Sequence, residues 1–342
     1  MNNQQRDTGY DFIRFLAMLL IMVYHFCSTC IVDLNFKMNN FFIDKIIFHG
    51  NIDFGKIGVG LFFMLSGAVL LMTDKGTVGD YYKRRLKRLY YSLWISFILL
   101  FLVSSLVAHK LINTDIIGTI VTFFGLDYCG VPWTFWDITP CYVVGEWFTT
   151  VIILLSVLFP VLKWMFAKAR LISTIIIFLI FAINLKLRIM TGYGGSFSLT
   201  YPLMFFWLGM CFQHYKKYFN SKVIICNLIL LMVLWVVNPT HFFGFWILPS
   251  FVFDVLLFTV LYKINFSNWF TKFICKYNYE LYLVHHRIYF LFFSTLLTAQ
   301  SSSLRFVSVG ILSITVFCMV SIFIHYLSNK LQNVTTKLIN EK

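Results

Sequence analysis

Arg14 and His25 lie inside the first long apolar stretch of the chain, residues 10–32, where a charged side chain is expensive and therefore marks function. Eleven residues at 100° each close three helical turns to within 20°. The two side chains thus share one helix face, about 16 Å apart along the axis. A cation near one end of a span and a titratable imidazole deeper in it suit an anionic ligand reaching toward a proton-transfer site. An Arg that snorkels to water and a His bonded to a neighbouring helix would leave the same trace, so the pair needs company to carry meaning.

That company comes from later segments. Residues 58–67 read GVGLFFMLSG; the small residues let a second helix approach closely, and Ser66 either bonds its own helix or lines a polar path. Next comes Tyr82-Lys83-Arg84-Arg85-Leu86-Lys87-Arg88, where Arg85 and Arg88 stand one turn apart and can converge on one phosphate. Glu146 opens another apolar run, about four residues from its outer end. His25 is about seven from the outer end of its own run, so a carboxylate and an imidazole sit at comparable depth. Such a carboxylate fixes the tautomer of a general base. The segment Tyr279-Glu280-Leu281-Tyr282-Leu283-Val284-His285-His286-Arg287 puts two His and an Arg into the inner half of a span. Adjacent helical residues point 100° apart, so only one of His285 and His286 is expected to face a small site. Glu280 is a candidate partner for the 82–88 cluster.

The elements that must position these residues are membrane helices. The chain is 342 residues long, 59% hydrophobic and only 12% charged, with a mean hydropathy of +0.79; soluble domains carry about 25% charge. Forty Phe without a short alternating pattern favour an all-α bundle over a barrel. Apolar runs fall at 10–32, 56–73, 89–109, 142–164, 171–187, 199–214, 222–238, 245–262, 280–298 and 304–328, predicting about ten transmembrane helices with both termini on one side. With the termini inside, 19 of the 28 Lys and Arg fall on inner segments and 7 on outer ones, which makes the termini cytoplasmic. One transmembrane domain, 1–342, is expected, with no appended soluble domain. The first run follows a polar start and lacks a small-residue cleavage site, so it reads as retained.

Charge and cysteine bound the rest. The net charge of +14 is explained by orientation and anionic headgroups of the lipid bilayer, so nucleic acid is not an expected partner. Cys27 and Cys30 form a lone C-x-x-C, and no ligand cluster lies at one depth, so no metal is expected. Cys129 and Cys141 flank an outer loop and could pair if the outside is oxidising. That loop, residues 123–142, holds Tyr128, Trp133, Trp136, Asp127 and Asp137. It suits an aromatic belt and equally the apolar faces and hydroxyls of a carbohydrate.

Taken in order, these motifs resemble the acyltransferase 3 family. Tyr10-Asp11-Phe12-Ile13-Arg14-Phe15-Leu16-Ala17 with Tyr24-His25-Phe26 is similar to its first-helix signature, an Arg and a His with ten residues between. Leu61–Gly67, Arg84–Leu89, Glu146-Trp147-Phe148 and Tyr279–His285 resemble its later patches, in the family's order. Gly60, where many members have a polar residue, and Tyr91, near where a Pro often follows the basic motif, depart from the pattern and bear on substrate class. The resemblance implies a multi-pass plasma-membrane enzyme. It would move an acyl group, usually acetyl, from cytosolic acyl-CoA to a hydroxyl of a cell-surface glycan or related envelope compound.

Carried over residue by residue, the resemblance makes His25 the catalytic base or transient acyl carrier, with Glu146 expected to orient it. Arg14, Arg85 and Arg88 would take coenzyme A phosphates or orient the donor; Ser66, Tyr282 and His285 match motif positions without a settled individual role and are expected on the donor side. Acetyl-CoA is the expected donor, and a homo-oligomer is allowed. A flippase or transporter for a lipid-linked glycan is the alternative, but it predicts inverted repeats that the chain does not display. A sensor that has lost catalysis is disfavoured by the intact His, Arg and basic cluster.

Overall fold

The computed structural model describes residues 7–29, 54–113, 115–127, 138–191, 199–237, 247–298 and 301–340. These residues are all-helical, with no strand among them. In chain order the helices are α1 (Thr8–Ser28), α2 (Phe54–Thr73), α3 (Val78–Val107), α4 (Ile116–Phe123), α5 (Glu146–Lys168), α6 (Arg170–Thr191), α7 (Thr200–Tyr215), α8 (Ser221–Val237), α9 (Ile247–Tyr262), α10 (Trp269–Leu296) and α11 (Ser303–Asn340). Each of the ten apolar runs holds one of them. Six, namely α1, α2, α3, α5, α6 and α11, contain a segment long and apolar enough to cross a bilayer, while α8 and α9 are apolar but shorter.

Helix α4 falls in what the apolar pattern leaves as an outer loop. Its eight residues are too few to span, and local chemistry makes them a helix. Asp115 caps the N-terminus by accepting from Gly118 N at 3.0 Å, and it also accepts from Thr139 N at 2.7 Å. These N–H groups hold the Asp115 carboxyl below the usual carboxylate range. Helix α3 starts equally sharply: Thr77 Oγ1 accepts from Asp80 N at 3.1 Å while Asp80 Oδ2 accepts from Thr77 N at 3.3 Å, a reciprocal capping box.

The chain forms two compact units, residues 1–21, 41–75 and 158–276 in one, and residues 22–40, 76–157 and 277–342 in the other. In the first, α2 and α7 meet backbone to backbone. A Cβ on Gly67 would overlap the Phe206 carbonyl, and one on Gly209 would overlap that of Met64. Small residues at such crossings let van der Waals contact replace the hydrophobic drive that lipid removes. Phe63, Phe159, Phe205, Phe206 and Trp207 fill the surrounding core, and the Trp207 indole donates to Thr174 Oγ1 at 2.9 Å. Polar ties close the ends: Lys163 to Asp74 at 2.7 Å, Tyr262 donating to Asp7 at 2.9 Å, and Lys216 donating to Tyr262 at 2.9 Å.

The second unit holds the end of α1, α3, α4, the start of α5, most of α10, and α11. Phe26 of α1 packs edge-on against Tyr289, Phe293 and Phe306, with ring centroids 4.9–5.7 Å away. Glu280 on α10 accepts from Ser92 of α3 at 2.8 Å and bonds His325 of α11 at 3.1 Å, with Ser328 3.2 Å from Ser92. A carboxylate buried to 6% exposure thus gains partners from two other helices, as a polar group inside an apolar bundle requires.

Candidate active site

The site is built inside the second unit from three segments: the end of α1, residues 142–145 before α5, and α10. Together they enclose a cavity of about 200 Å³ lined by His25, Tyr142, Gly145, His285, His286 and Arg287, among others. The approach to α5 depends on Gly145, whose φ of +62° is open to glycine and whose Cβ would overlap Thr149 Oγ1. This turn aims the Gly145 carbonyl at α10, where it accepts the buried Tyr282 hydroxyl at 3.0 Å. The Tyr282 ring then stacks at a tilt on Phe148, 4.5 Å between centroids. Tyr282 is therefore both a wall of the cavity and the pin that fixes that wall to α5.

Three imidazoles face one another here. The His25 ring lies 4.5 Å from that of His286 and 5.0 Å from that of His285, centroid to centroid. The expectation that only one of the two adjacent His could face the site is overturned. His25 comes from a neighbouring helix and occupies the angle between them, so both flank it. His285 is 2% exposed, and its Nδ1 lies 2.9 Å from the Tyr282 carbonyl. A carbonyl only accepts, so Nδ1 carries the proton and the lone pair sits on Nε2. That atom is buried with no hydrogen-bond partner among the described residues. An imidazole with a helix-fixed tautomer and an open lone pair, beside a second imidazole, can orient or relay a proton.

The remaining sequence-predicted residues are distributed around this centre. Arg85 belongs to the same unit but not to the cavity lining. Its Nε donates to Ser156 Oγ at 2.9 Å, beside Tyr81 and Tyr82, whose hydroxyls donate to the Ser156 and Val157 carbonyls at 2.9 and 2.7 Å. Arg88 is exposed one turn further along α3. Arg14 and Ser66 belong to the first unit, where Arg14 pairs with Asp11 on its own helix at 2.9 Å. Glu146 begins α5, but its side chain lies outside the described ones. Cys141 is a free thiol that accepts from Asn113 Nδ2 at 3.1 Å, while Cys30, Cys129, Tyr128, Trp133, Trp136 and Asp137 lie outside the described residues. Among the described residues, no three His, Cys, Asp or Glu side chains gather as a metal-binding set.

The cavity also contains residues to which the sequence reading gave no role: Tyr142, Arg287 and Phe290. Arg287 announces itself by being a cation in an apolar run. Tyr142 and Phe290 carry no such signal, since aromatic residues are ordinary at membrane surfaces.

The model of the acyltransferase 3 family, described as an acyltransferase domain, matches residues 7–324, nearly the whole chain. Together with the long apolar helices, this makes the protein a membrane acyltransferase with several membrane-crossing helices. The chain belongs to the acyltransferase 3 family. Neither a curated protein nor a solved structure matches it significantly.

Proposed function

We propose that this protein is a plasma-membrane O-acyltransferase that moves an acetyl group from cytosolic acetyl-CoA to a hydroxyl of a cell-surface glycan or related envelope compound. Ten spans would carry it, with both termini cytoplasmic and residues 1–342 acting as one catalytic domain. The observation that carries the reading is His25 in a cavity between His285 and His286, in a chain of this family. His25 takes the acceptor's hydroxyl proton. The hydroxyl oxygen attacks the thioester carbonyl, the C–S bond breaks, and coenzyme A leaves as the thiol after receiving that proton from His25. His285, with its proton held on Nδ1 by the Tyr282 carbonyl, presents Nε2 toward this exchange and serves as a positioning residue; Glu146 is the proposed carboxylate partner. Arg85 and Arg88 take the donor's phosphates; Arg14 and Ser66 are proposed as donor-side residues on the family motifs alone. Transfer through an acyl-His25 would balance equally, with His25 rather than the hydroxyl attacking first.

The test is release of free coenzyme A from acetyl-CoA by purified protein in detergent, with envelope-glycan extract supplied. Release that needs the extract and falls by about 10²–10⁴ in His25→Ala is the expected result. Equal release from both proteins would remove His25 from the chemistry.

A further inference from the structure

We propose that Arg287 reads an anionic group on the acceptor, so that the substrate of this site is an acidic glycan bearing carboxylate or phosphate beside the reacting hydroxyl. The inference rests on the acyltransferase reading above and adds the charge class of the acceptor. Arg287 lines the same cavity as His25, so whatever it binds lies next to the reacting hydroxyl. Its Nε donates to Ser104 Oγ at 3.0 Å, and its guanidinium lies 5.1 Å from the centre of the Phe290 ring. Both contacts fix the plane of the guanidinium and neither cancels its charge. Among the described side chains no carboxylate pairs with it. Five N–H groups arranged as a fork are suited to two oxygens of one anion. A cation held inside an apolar helix with neutral partners is expensive, and a bound anion offsets that cost.

The position on α3 decides between acceptor and donor. Ser104 stands three residues from the C-terminal end of α3, and Arg85 is in its first turns. Their separation of nineteen positions spans roughly 28 Å along a straight helix. The basic residues proposed for coenzyme A phosphates therefore lie at one end of α3, and Arg287 is anchored at the other; the expectation that Arg287 lies in the inner half of its span, on the side of the basic cluster, does not hold. Phe290 adds an exposed ring, 38% accessible, beside the guanidinium. An aromatic face next to a bidentate cation suits a sugar ring that carries an acid.

The experiment uses the full-length protein in detergent and an envelope extract of the native host, resolved by anion exchange into neutral and acidic pools. Coenzyme A release from acetyl-CoA is expected with the acidic pool, at least tenfold above the neutral one. In Arg287→Gln the apparent KM for the acidic pool should rise roughly tenfold to a hundredfold, the loss of one charged pair, while the KM for acetyl-CoA stays put. Arg287→Lys should recover part of the loss. Carbodiimide reduction of the acidic pool, which removes carboxylates and spares phosphates, tells the two anions apart. Release supported by the neutral pool would overturn the inference while leaving the transferase intact. So would equal losses on both pools in Arg287→Gln, the result expected if the chain's own carboxylate neutralises Arg287. Release with neither pool would defeat the acyltransferase reading and this inference with it.

Discussion

Asp127 shows how a single buried carboxyl reports on the second unit. It is 1% exposed, takes a hydrogen bond from Thr122, and leaves Oδ2 without a partner among the described residues. Burial pushes its carboxyl up to about 7, against the opposing pull of the Thr122 hydroxyl. A carboxyl raised in the folded state stabilises the fold as the neutral acid. That contribution is complete below the unfolded value near 3.8 and is lost as pH rises through about 7. A shift of this size is worth a few kcal/mol. Thermal unfolding of the detergent-solubilised protein should therefore fall between pH 5 and pH 8, and Asp127→Asn should flatten that fall; parallel profiles for the two proteins would contradict the assignment. At this scale the sequence was legible where polar residues stand in apolar runs. His25 and His285 were found that way, Tyr282 only through the family motif, and all three line the cavity. Tyr142 and Phe290 were not found, because an aromatic residue in such a chain carries no mark of which neighbour it faces. The rivalry foreseen between His285 and His286 failed for a related reason: it treated one helix alone, while the third imidazole comes from another.

Helix identity was readable from apolar runs, but helix pairing was not. A helix that is apolar all round shows no stripe from which its partner can be read. What the sequence does carry is the small residues at close crossings. Gly58, Gly60 and Gly67 were visible as an approach surface on α2, and Gly67 meets α7 through the Phe206 backbone; the reciprocal Gly209 had not been singled out. Gly67→Ala and Gly209→Ala should each destabilise by about 1–3 kcal/mol as overpacked substitutions, measured as a lower unfolding temperature in detergent. Gly79→Ala is the control: the nearest atom to its Cβ would be Thr77 Oγ1 at 3.8 Å, so its unfolding temperature should match wild type. If all three substitutions behave alike, the α2–α7 crossing is not close-packed. Helix α4 was missed because eight residues with only five apolar side chains register neither as a span nor as a loop, and only the Asp115 cap distinguishes it.

For the molecule as a whole, the question is which ends share a compartment. Helix α11 has 38 residues, roughly 57 Å of helix, nearly twice the bilayer core of about 30 Å. Its final turns run beside the basic segment of α3: Lys87 donates to Thr336 Oγ1 at 3.0 Å, and the Tyr91 hydroxyl lies 2.7 Å from that of Thr335. The C-terminal end and the proposed phosphate-binding arginines therefore share a side. A compartment-sensitive reporter fused after Lys342 should read cytoplasmic, where the donor is made; an outward reading would put Arg85 and Arg88 on the side away from acetyl-CoA and would break the proposed route. The most direct measurement of the central claim is transfer of labelled acetyl from acetyl-CoA into envelope glycan, with wild type and His25→Ala side by side in reconstituted vesicles. The account predicts base-labile label in the glycan with wild type and a loss of at least a hundredfold in the variant. Undiminished labelling by His25→Ala would contradict it.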